Sequence, residues 1–187
     1  MTYLAIEKLN TIINENIGKN IYDYNIFIET GTFCGHTILA LEPYFRQVHT
    51  IEISEKYFIE FEKYKNYLGK LKINNYFGDS VDLIPKLLKV LNSEDNCIFW
   101  LDGHWSSGDT GKGEKDCPLI EECISIDSTY KSNNGIILID DYRLFGTKLN
   151  ENWMDITEYN IQQTFKNFII IKKFVFEDIL VLYIEKK

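Results

Sequence analysis

The stretch that decides the fold is residues 29–37, which read ETGTFCGHT. An apolar run before it, residues 25–29, predicts a buried strand, and the segment after it, residues 34–45, predicts a helix. Glycines at such a strand-to-helix turn let a ligand touch the backbone. Gly31 and Gly35 stand here without the G-x-G-x-x-G series that places a dinucleotide pyrophosphate on a helix N-terminus, which favours a cofactor without phosphate. The alternative is a plain turn that happens to hold two glycines.

Strand and helix patterns alternate on both sides of this turn. The predicted strands are residues 25–29, 47–53, 73–77, 97–101 and 135–139, and the predicted helices are residues 4–17, 34–45, 55–68, 81–91 and 119–130. Ser54 is the predicted N-cap of the third helix, and the first helix is expected to pack beside or over the site. Two β-rich runs, residues 168–174 and 179–185, then predict an antiparallel hairpin. We expect a doubly wound, Rossmann-like α/β fold whose mostly parallel sheet is closed by this hairpin.

The composition predicts one domain over residues 1–187 and argues against polyanionic partners. The chain has 45% hydrophobic residues, a formal net charge of −8 and a pI near 4.9. A negative surface repels phosphate backbones and anionic lipid, so we expect neither nucleic acid nor membrane as a partner. The expected partner is a small-molecule or carbohydrate substrate, and a homodimer stays open.

The chain is expected to be cytoplasmic. Charged residues such as Glu7 and Lys8 interrupt the apolar positions of the first 20 residues, so no signal sequence is predicted. The four cysteines form no CxxC pair, and they are expected to be free thiols that build neither a disulfide framework nor a zinc site. They are Cys34, Cys97, Cys117 and Cys123.

Polar residues after the second and third predicted strands suit an adenosine. Glu52 ends the second strand, where a carboxylate can accept hydrogen bonds from both ribose hydroxyls. Its alternative is a solvated strand-end acid. Asp79 and Ser80 follow the third strand and could bond the adenine ring, and helix capping by either residue is an alternative compatible with that contact. S-adenosylmethionine is a cofactor that carries adenosine without phosphate.

Acidic residues follow the fourth and fifth predicted strands, which should be neighbours. Asp102 comes after the fourth strand, and Asp140 and Asp141 come after the fifth. Their carboxylates should converge at the carboxyl edge of the sheet, where open α/β sheets bind ligands. Because like charges repel, a cation is expected among them, and Mg²⁺ or Ca²⁺ is the hard-cation solution. The sulfonium of the cofactor is a second cation, and turn-forming or capping aspartates are the alternative.

Five motifs in this order resemble those of class I S-adenosylmethionine-dependent methyltransferases of the catechol O-methyltransferase type. The aspartate arrangement also resembles sugar-modifying O-methyltransferases of the macrocin type. The resemblance spans residues 25–146 approximately. The motifs are residues 29–37, residues 50–53, residues 78–80 with Ile84 and Pro85, Leu101-Asp102 with His104-Trp105, and residues 139–141.

This resemblance implies a role for each matching residue. The implied cofactor-binding residues are Glu29, Gly31, Gly35 and Thr37 around the methionine end, Glu52 at the ribose, and Asp79, Ser80, His104 and Trp105 around adenine. The implied metal ligands are Asp102, Asp140 and Asp141, and the implied catalytic residues are Asp102 and His104. The metal would be Mg²⁺ or another divalent cation.

Two departures from the pattern argue against catechol as the substrate. Ser106 stands where catechol-type enzymes have a lysine base after the His-Trp pair, and Gly103 is an insertion. Neutral His104 is a candidate base, and contact with adenine is its alternative role.

The connection over residues 103–118 is long and rich in glycine, which is typical of a lid. A phosphate loop is excluded, because the glycine spacing is too short and Gly113 replaces the Ser or Thr that must follow Lys112. Lys112 or Lys115 could meet an anionic group or act as base when the loop closes. A solvated, flexible loop is the alternative.

The combined prediction is a metal-dependent O-methyltransferase that acts on a small-molecule or carbohydrate hydroxyl. A vicinal diol could chelate the metal through both oxygens. One rival keeps the fold, cofactor pocket and metal site but runs another reaction, as in cephalosporin hydroxylase-like proteins. A second rival is an inactive homologue that binds adenosylmethionine without turnover, and an NAD oxidoreductase is a distant third.

Overall fold

The computed structural model describes residues 3–106, 110–148 and 151–187. Residues 107–109 of the predicted lid lie outside the described residues. A seven-stranded sheet with the order β3-β2-β1-β4-β5-β7-β6 forms the centre of the fold. The strands are β1 Ile26–Thr30, β2 Gln47–Glu52, β3 Ile73–Phe77, β4 Cys97–Leu101, β5 Asn134–Ile139, β6 Phe168–Phe176 and β7 Ile179–Lys186.

The sheet has the predicted topology. β1 pairs in parallel with both β2 and β4, so the strand order reverses at the boundary between β1 and β4. β3 and β5 extend the parallel part, and β7 pairs antiparallel with β5 and β6. The carboxyl ends of the parallel strands share one edge, and an open α/β sheet binds ligands at that edge near the reversal. The α/β fold class with a closing antiparallel hairpin is confirmed.

Helices cover both faces of the sheet. The α-helices are α1 Ile6–Asn10, α2 His36–Leu41, α3 Glu55–Tyr67, α4 Ser80–Val90, α5 Leu119–Thr129 and α6 Glu158–Thr164. On one face, apolar residues of β1 and β4, including Ile28 and Phe99, pack against α4, α5 and α6. On the other face, Phe27 and Trp100 of the same strands pack against the N-terminal helical segment, α2 and α3. No helix among the described residues combines the length and apolar character needed to cross a bilayer.

Several local expectations need correction. The predicted helix over residues 4–17 is α1 followed by a π-helix, Thr11–Ile17, which ends at Gly18 in the left-handed conformation. Ser54 precedes α3, but its side chain makes no capping bond. Its backbone N–H donates to the Glu52 carboxylate instead. α6 was not predicted, because its residues are mostly polar and bury only Ile161.

The cysteines are free thiols, as expected. Cys97, Cys117 and Cys123 are buried, and Cys34 is exposed. The buried thiols lie within the core that covers α4, α5 and α6, so they serve as small apolar side chains.

Candidate active site

A cleft of about 680 Å³ lies at the carboxyl edge of the sheet. It brings together nine of the sequence-predicted site residues, which come from the ends of β1 to β5 and the start of α4. These are Gly31, Glu52, Asp79, Ser80, Asp102, His104, Trp105, Asp140 and Asp141. Among the described residues, the cleft lining does not include Glu29, Gly35 or Thr37.

The two glycines of the first turn are required by protein contacts. Gly31 has a φ of +81°, and a Cβ there would meet the backbone carbonyl of Asp102. Gly35 has a φ of +75°, and a Cβ there would overlap the ring of Phe61 on α3. Of these two glycines, Gly31 lines the cleft and Gly35 does not. The turn therefore needs glycine to pack β1 against β4 and α2 against α3, whether or not a ligand touches it.

Glu29 and Thr37 do not line the cleft, but each forms a hydrogen bond next to the glycine turn. Glu29 is buried on β1, and its carboxylate accepts a hydrogen bond of 2.6 Å from the Thr50 hydroxyl. Burial raises the pKa of Glu29 to about 8. The Thr37 hydroxyl on α2 accepts from the Leu4 backbone N–H at 3.2 Å. This bond ties the N-terminal segment to α2, the helix that follows the glycine turn.

Glu52 is held in place by the backbone. Its two carboxylate oxygens accept from the N–H groups of Phe33 and Ser54, each at 2.8 Å. The residue is 5% exposed, and burial raises the pKa of its carboxyl group above the usual value, against the effect of backbone hydrogen bonds from Phe33, Ser54 and their neighbours Thr32 and Ile53. Glu52 nevertheless lines the cleft, where its carboxylate can accept hydrogen bonds from a ligand's hydroxyl groups.

Asp79 has the helix-capping role that was an alternative from the sequence. It is the N-cap of α4, and its Oδ1 accepts from the Val81 N–H at 2.9 Å. Its Oδ2 faces the loop, where a Cβ at Gly113 would approach it to 2.6 Å. The carboxylate thus caps the helix with one oxygen and presents the other to the cleft. We call the part of the cleft around Glu52 and Asp79 the adenosine end.

The predicted lid folds over the adenosine end. A Cβ at Gly111 would overlap the Ile53 side chain and lie 2.7 Å from the Ser54 nitrogen. The Lys112 ammonium lies 4.1 Å from the centre of the Trp105 ring and 2.7 Å from Asp116. The Asp116 carboxylate also accepts from the Asn152 N–H at 3.0 Å. Glycine at position 111 therefore permits a close approach that the Lys112 contacts hold in place.

The other predicted lysine of the loop, Lys115, forms an ion pair with Glu121 of α5. Both side chains line the cleft. Each of the two loop lysines thus has an acidic partner.

A second group of side chains meets beyond β4 and β5, and we call it the acid end. One ligand atom from each of Asp102, His104 and Asp141 lies within 4.8 Å of the others. His104 Nε2 lies 3.1 Å from Asp141 Oδ2, and His104 Nδ1 lies 3.5 Å from Asp102 Oδ1. Carboxylate and imidazole are the donors that divalent metal ions take in proteins, so these residues fit such an ion. Asp140 lines the same part of the cleft but is outside this trio.

Burial and mutual repulsion oppose ionisation at the acid end. Burial first, and then the charges of Asp140 and Asp141, raise the pKa of Asp102 well above its usual value. Burial raises the pKa of Asp140 to about 6. Burial also lowers the pKa of His104, although the neighbouring Asp141 acts in the opposite direction. A cation at this end would relieve the repulsion among the carboxylates.

Two residues at the acid end were not predicted. Glu151 Oε2 lies 3.8 Å from His104 Nε2 and accepts from Trp153 Nε1 at 3.0 Å. Arg143 Nη1 contacts Asp141 Oδ1 at 2.5 Å and also pairs with Asp178. Arg143 stands two residues after Asp141, so the Asp140-Asp141 motif was the sequence signal that could have indicated it. Glu151 lies in a segment without a motif, and only tertiary packing reveals it.

Comparisons with known proteins give matches at the level of structure. No protein-family model and no curated protein match the sequence. A Staphylococcus aureus protein assigned to the caffeoyl-CoA O-methyltransferases aligns with a TM-score of 0.62 at 12% identity, over 98% of this chain and 85% of its own. The O-methyltransferase TomG of Streptomyces achromogenes, involved in tomaymycin synthesis and solved with SAM, aligns with a TM-score of 0.62 at 11% identity, over 100% and 92%.

The same fold also occurs in a protein of RNA processing. Fibrillarin of Methanococcus jannaschii, a pre-rRNA processing protein, aligns with a TM-score of 0.57 at 12% identity, over 89% of this chain and 68% of its own. At such low identity, structural likeness establishes architecture and leaves the substrate undefined. Together with the strand order and the closing hairpin, these likenesses show that the chain has the fold of the class I S-adenosylmethionine-dependent methyltransferases.

Proposed function

We propose that this protein transfers the methyl group of S-adenosylmethionine to a hydroxyl of a small molecule or carbohydrate, with a divalent cation at the acid end. The observation that supports this most strongly is the division of one cleft into two ends of different chemistry. Hydrogen-bond acceptors suited to adenosine lie at the ends of β2 and β3, and a trio with metal-ligand side chains, Asp102, His104 and Asp141, lies beyond β4 and β5. A methyl donor and a hydroxyl acceptor need such adjoining sites.

At the adenosine end, the Glu52 carboxylate, which lines the cleft, would accept hydrogen bonds from the ribose hydroxyls. Asp79 and Ser80 would contact adenine, with Trp105 nearby beneath the Lys112 side chain. Gly31 would border the methionine portion, and Glu29, Gly35 and Thr37 would fix the turn that holds it. The closed loop would shield the cofactor from water.

At the acid end, Asp102 and Asp141 would hold the cation, with Asp140 beside them. A bound divalent cation lowers the pKa of a hydroxyl placed next to it and so prepares that oxygen for attack. Asp102 lies close enough to the cation position to orient the hydroxyl and receive its proton, and His104 borders the same position. In-line geometry between sulfonium and hydroxyl would then supply a large part of the rate.

The charge of the cleft favours an uncharged or cationic acceptor. The described lining carries eight carboxylates, which face two basic side chains, Lys115 and Arg143. Both basic groups already have acidic partners. A phosphate-rich acceptor would meet net repulsion here, whereas a diol of a sugar or polyphenol could bind through its oxygens. The eight acids are Glu52, Asp79, Asp82, Asp102, Glu114, Glu121, Asp140 and Asp141.

A thermal-shift experiment followed by mass spectrometry tests the function. SAM or its demethylated product SAH at millimolar concentration should raise the melting temperature, and NAD should not, because a ligand that binds only the folded state stabilises it. The protein is then incubated with SAM and a panel of sugars and polyphenols with vicinal diols, and the masses of the products are measured. A gain of one methyl group supports methyl transfer, whereas a gain of one oxygen atom supports the hydroxylase-like rival. A shift with NAD alone would refute the cofactor assignment.

A further inference from the structure

We propose that His104 is itself a ligand of the cation, so that the acid end is a mixed nitrogen and oxygen site that prefers Mn²⁺, Co²⁺ or Zn²⁺ to Mg²⁺. This inference rests on the cation site of the proposed function and does not depend on methyl transfer. It replaces the all-carboxylate ligand set implied by sequence resemblance with the trio that the structure brings together, Asp102, His104 and Asp141.

The direction of the imidazole supports the assignment. Both ring nitrogens face carboxylates: Nδ1 lies 3.5 Å from Asp102, and Nε2 lies 3.1 Å from Asp141 and 3.8 Å from Glu151. The side chain is 9% exposed, so the ring is largely removed from solvent. A general base needs a lone pair that faces the acceptor hydroxyl. A nitrogen surrounded by acidic oxygens is placed instead to share a cation with them.

The distances allow one ion to reach the trio. Ligand atoms about 2.1 Å from a common metal lie roughly 3 to 4 Å from one another. The atoms of Asp102, His104 and Asp141 are within 4.8 Å of one another, so each pair has to approach by at most about 2 Å to share one ion. Trp153 packs edge-on against the imidazole, with the ring centres 5.0 Å apart, and this contact limits rotation of His104. Glu151, which accepts a hydrogen bond from the same indole, could supply a further oxygen ligand to the ion.

A buried carboxyl group lies behind the trio. Glu122 of α5 is 1% exposed, and its Oε1 has no hydrogen-bond partner among the described residues. Ser80 and Thr30 form hydrogen bonds with the same carboxyl group, and burial raises its pKa to about 7. Oε1 lies close to Gly103, the residue between Asp102 and His104, where an added Cβ would lie 3.2 Å from it. A cation on the other side of Gly103 would attract the negative charge of this group when it is ionised.

The donor types determine the preferred metal. Mg²⁺ is a hard ion that takes oxygen ligands and keeps much of its water, whereas imidazole is a common ligand of zinc and other transition metals. A site with one imidazole and two carboxylates therefore selects ions later in the first transition series. We expect Co²⁺ and Zn²⁺ to bind at least about tenfold more tightly than Mg²⁺, with Mn²⁺ between them.

Pulsed electron paramagnetic resonance of the Mn²⁺-loaded protein tests the assignment directly. The modulation from a coordinated ¹⁴N nucleus should be present in the wild type and should change to the ¹⁵N pattern when histidine is labelled with ¹⁵N. It should be absent from His104→Gln and retained in His36→Gln, a matched change at an exposed histidine on α2. Thermal melting checks that both variants fold, and the labelled wild type keeps the test valid if His104→Gln does not.

Calorimetric titration completes the test. Co²⁺ affinity should fall at least about tenfold in His104→Gln and stay unchanged in His36→Gln. Bound Mn²⁺ without nitrogen modulation, or equal Co²⁺ affinity in wild type and His104→Gln, would overturn the inference and return His104 to the role of base. Absence of any metal binding would also overturn it. SAH binding is measured separately in chelator, so loss of the metal site and loss of the cofactor site are told apart.

Discussion

Gly31 packs directly on the backbone of Asp102, where a Cβ at position 31 would lie 2.9 Å from the Asp102 carbonyl carbon. The first residue after β1 thus contacts the first residue after β4, across the point where the strand order reverses. The same contact sets the distance between the turn expected to border the cofactor and an acid expected to face the acceptor. Packing of the sheet and geometry of the site are therefore coupled at Gly31.

Replacing Gly31 with alanine should destabilise the protein by roughly 3 kcal/mol or more, because a left-handed φ and a backbone clash act together. Gly69→Ala is the matched control, since Gly69 has a φ of +66° and open space around its Cβ position. It should cost only about 1 to 2 kcal/mol, which is the left-handed strain alone. Urea unfolding measures both. An equal loss of unfolding free energy in the two variants would show that β1 and β4 can move apart at no cost in stability.

Glu52→Gln should weaken SAH binding by about tenfold or more, because the neutral amide loses the charged acceptor for ribose hydroxyls. Glutamine retains an oxygen for one of the two backbone N–H groups, so the change disturbs the Phe33 and Ser54 contacts less than alanine would. Isothermal titration calorimetry measures the affinity. Glu55→Gln, at the start of α3, is the control and should bind normally. Unchanged affinity in Glu52→Gln would make Glu52 a structural acid.

The sheet was predictable because local signals and burial agree there. The predicted bounds of β3 and β4 match the structure, since short apolar or β-rich runs end at Gly78 and Asp102. The short helix α6 was not predicted, because a single buried residue, Ile161, produces no periodic pattern. The π-helix was predicted as part of an α-helix, because the spacing of Leu9, Ile12, Ile13 and Ile17 is close to that of an α-helix and does not reveal the wider turn.

For the site, the sequence identified the residues but could not give their orientation. The order of motifs placed Glu52, Asp79 and Asp102 at one edge, and the cleft contains them. The approach of His104 to Asp141 depends on Asp141 itself, whose φ of +57° is unusual for a residue other than glycine. Such a backbone conformation depends on tertiary contacts. The same limit applies to Glu151, which reaches His104 from a distant segment.

His49 should make the protein sensitive to acid. Burial, and then Arg46, lower its pKa from 6.5 to about 4, while Asp95 acts in the opposite direction. Between pH 6.5 and 4 the unfolded chain therefore binds more protons at this position than the folded chain. Stability falls as the pH drops through this window, by up to about 3 kcal/mol.

His49→Gln tests this contribution, since an amide can still bond the Tyr76 hydroxyl that lies 3.1 Å from His49 Nδ1. The free energy of unfolding, measured by urea at pH 7 and pH 4.5, should depend less on pH in this variant than in the wild type. His36→Gln, at an exposed position, should retain the wild-type dependence. An equal slope in His49→Gln would show that the folded protein accommodates a protonated His49.

Gly111→Ala should prevent the loop from closing over the adenosine end. The added methyl group would overlap Ile53 and approach the Ser54 nitrogen to 2.7 Å, and backbone there cannot move aside. We expect SAH affinity to fall by about tenfold and trypsin to cleave faster after Lys112 and Lys115. Saturating SAH should slow cleavage in the wild type much more than in the variant. Gly18→Ala, where the Cβ would meet open space, is the control. Identical cleavage of all three proteins would refute a lid role.

The two ends of the cleft should be separable by mutation. Asp102→Asn and Asp141→Asn remove a charged ligand from the acid end but keep the size of each side chain, so the adenosine end should remain intact. Asp102 also keeps its backbone bond from its N–H to the Thr30 oxygen, because the substitution changes only the carboxylate. We expect the rate of methyl transfer to fall at least about a hundredfold in each variant. The reason is that a loosely bound cation no longer lowers the pKa of the hydroxyl or orients it.

SAH affinity in the same variants should change by less than about threefold, since Glu52 and Asp79 carry the adenosine contacts. Asp102 borders Gly31, so any loss should be larger in Asp102→Asn than in Asp141→Asn. Calorimetry with SAH and with Mn²⁺, run on wild type, both variants and the exposed control Glu94→Gln, separates the two affinities. Loss of SAH binding in parallel with Mn²⁺ binding would show one shared site. Undiminished turnover of the wild type in chelator would show that the carboxylates act without a metal.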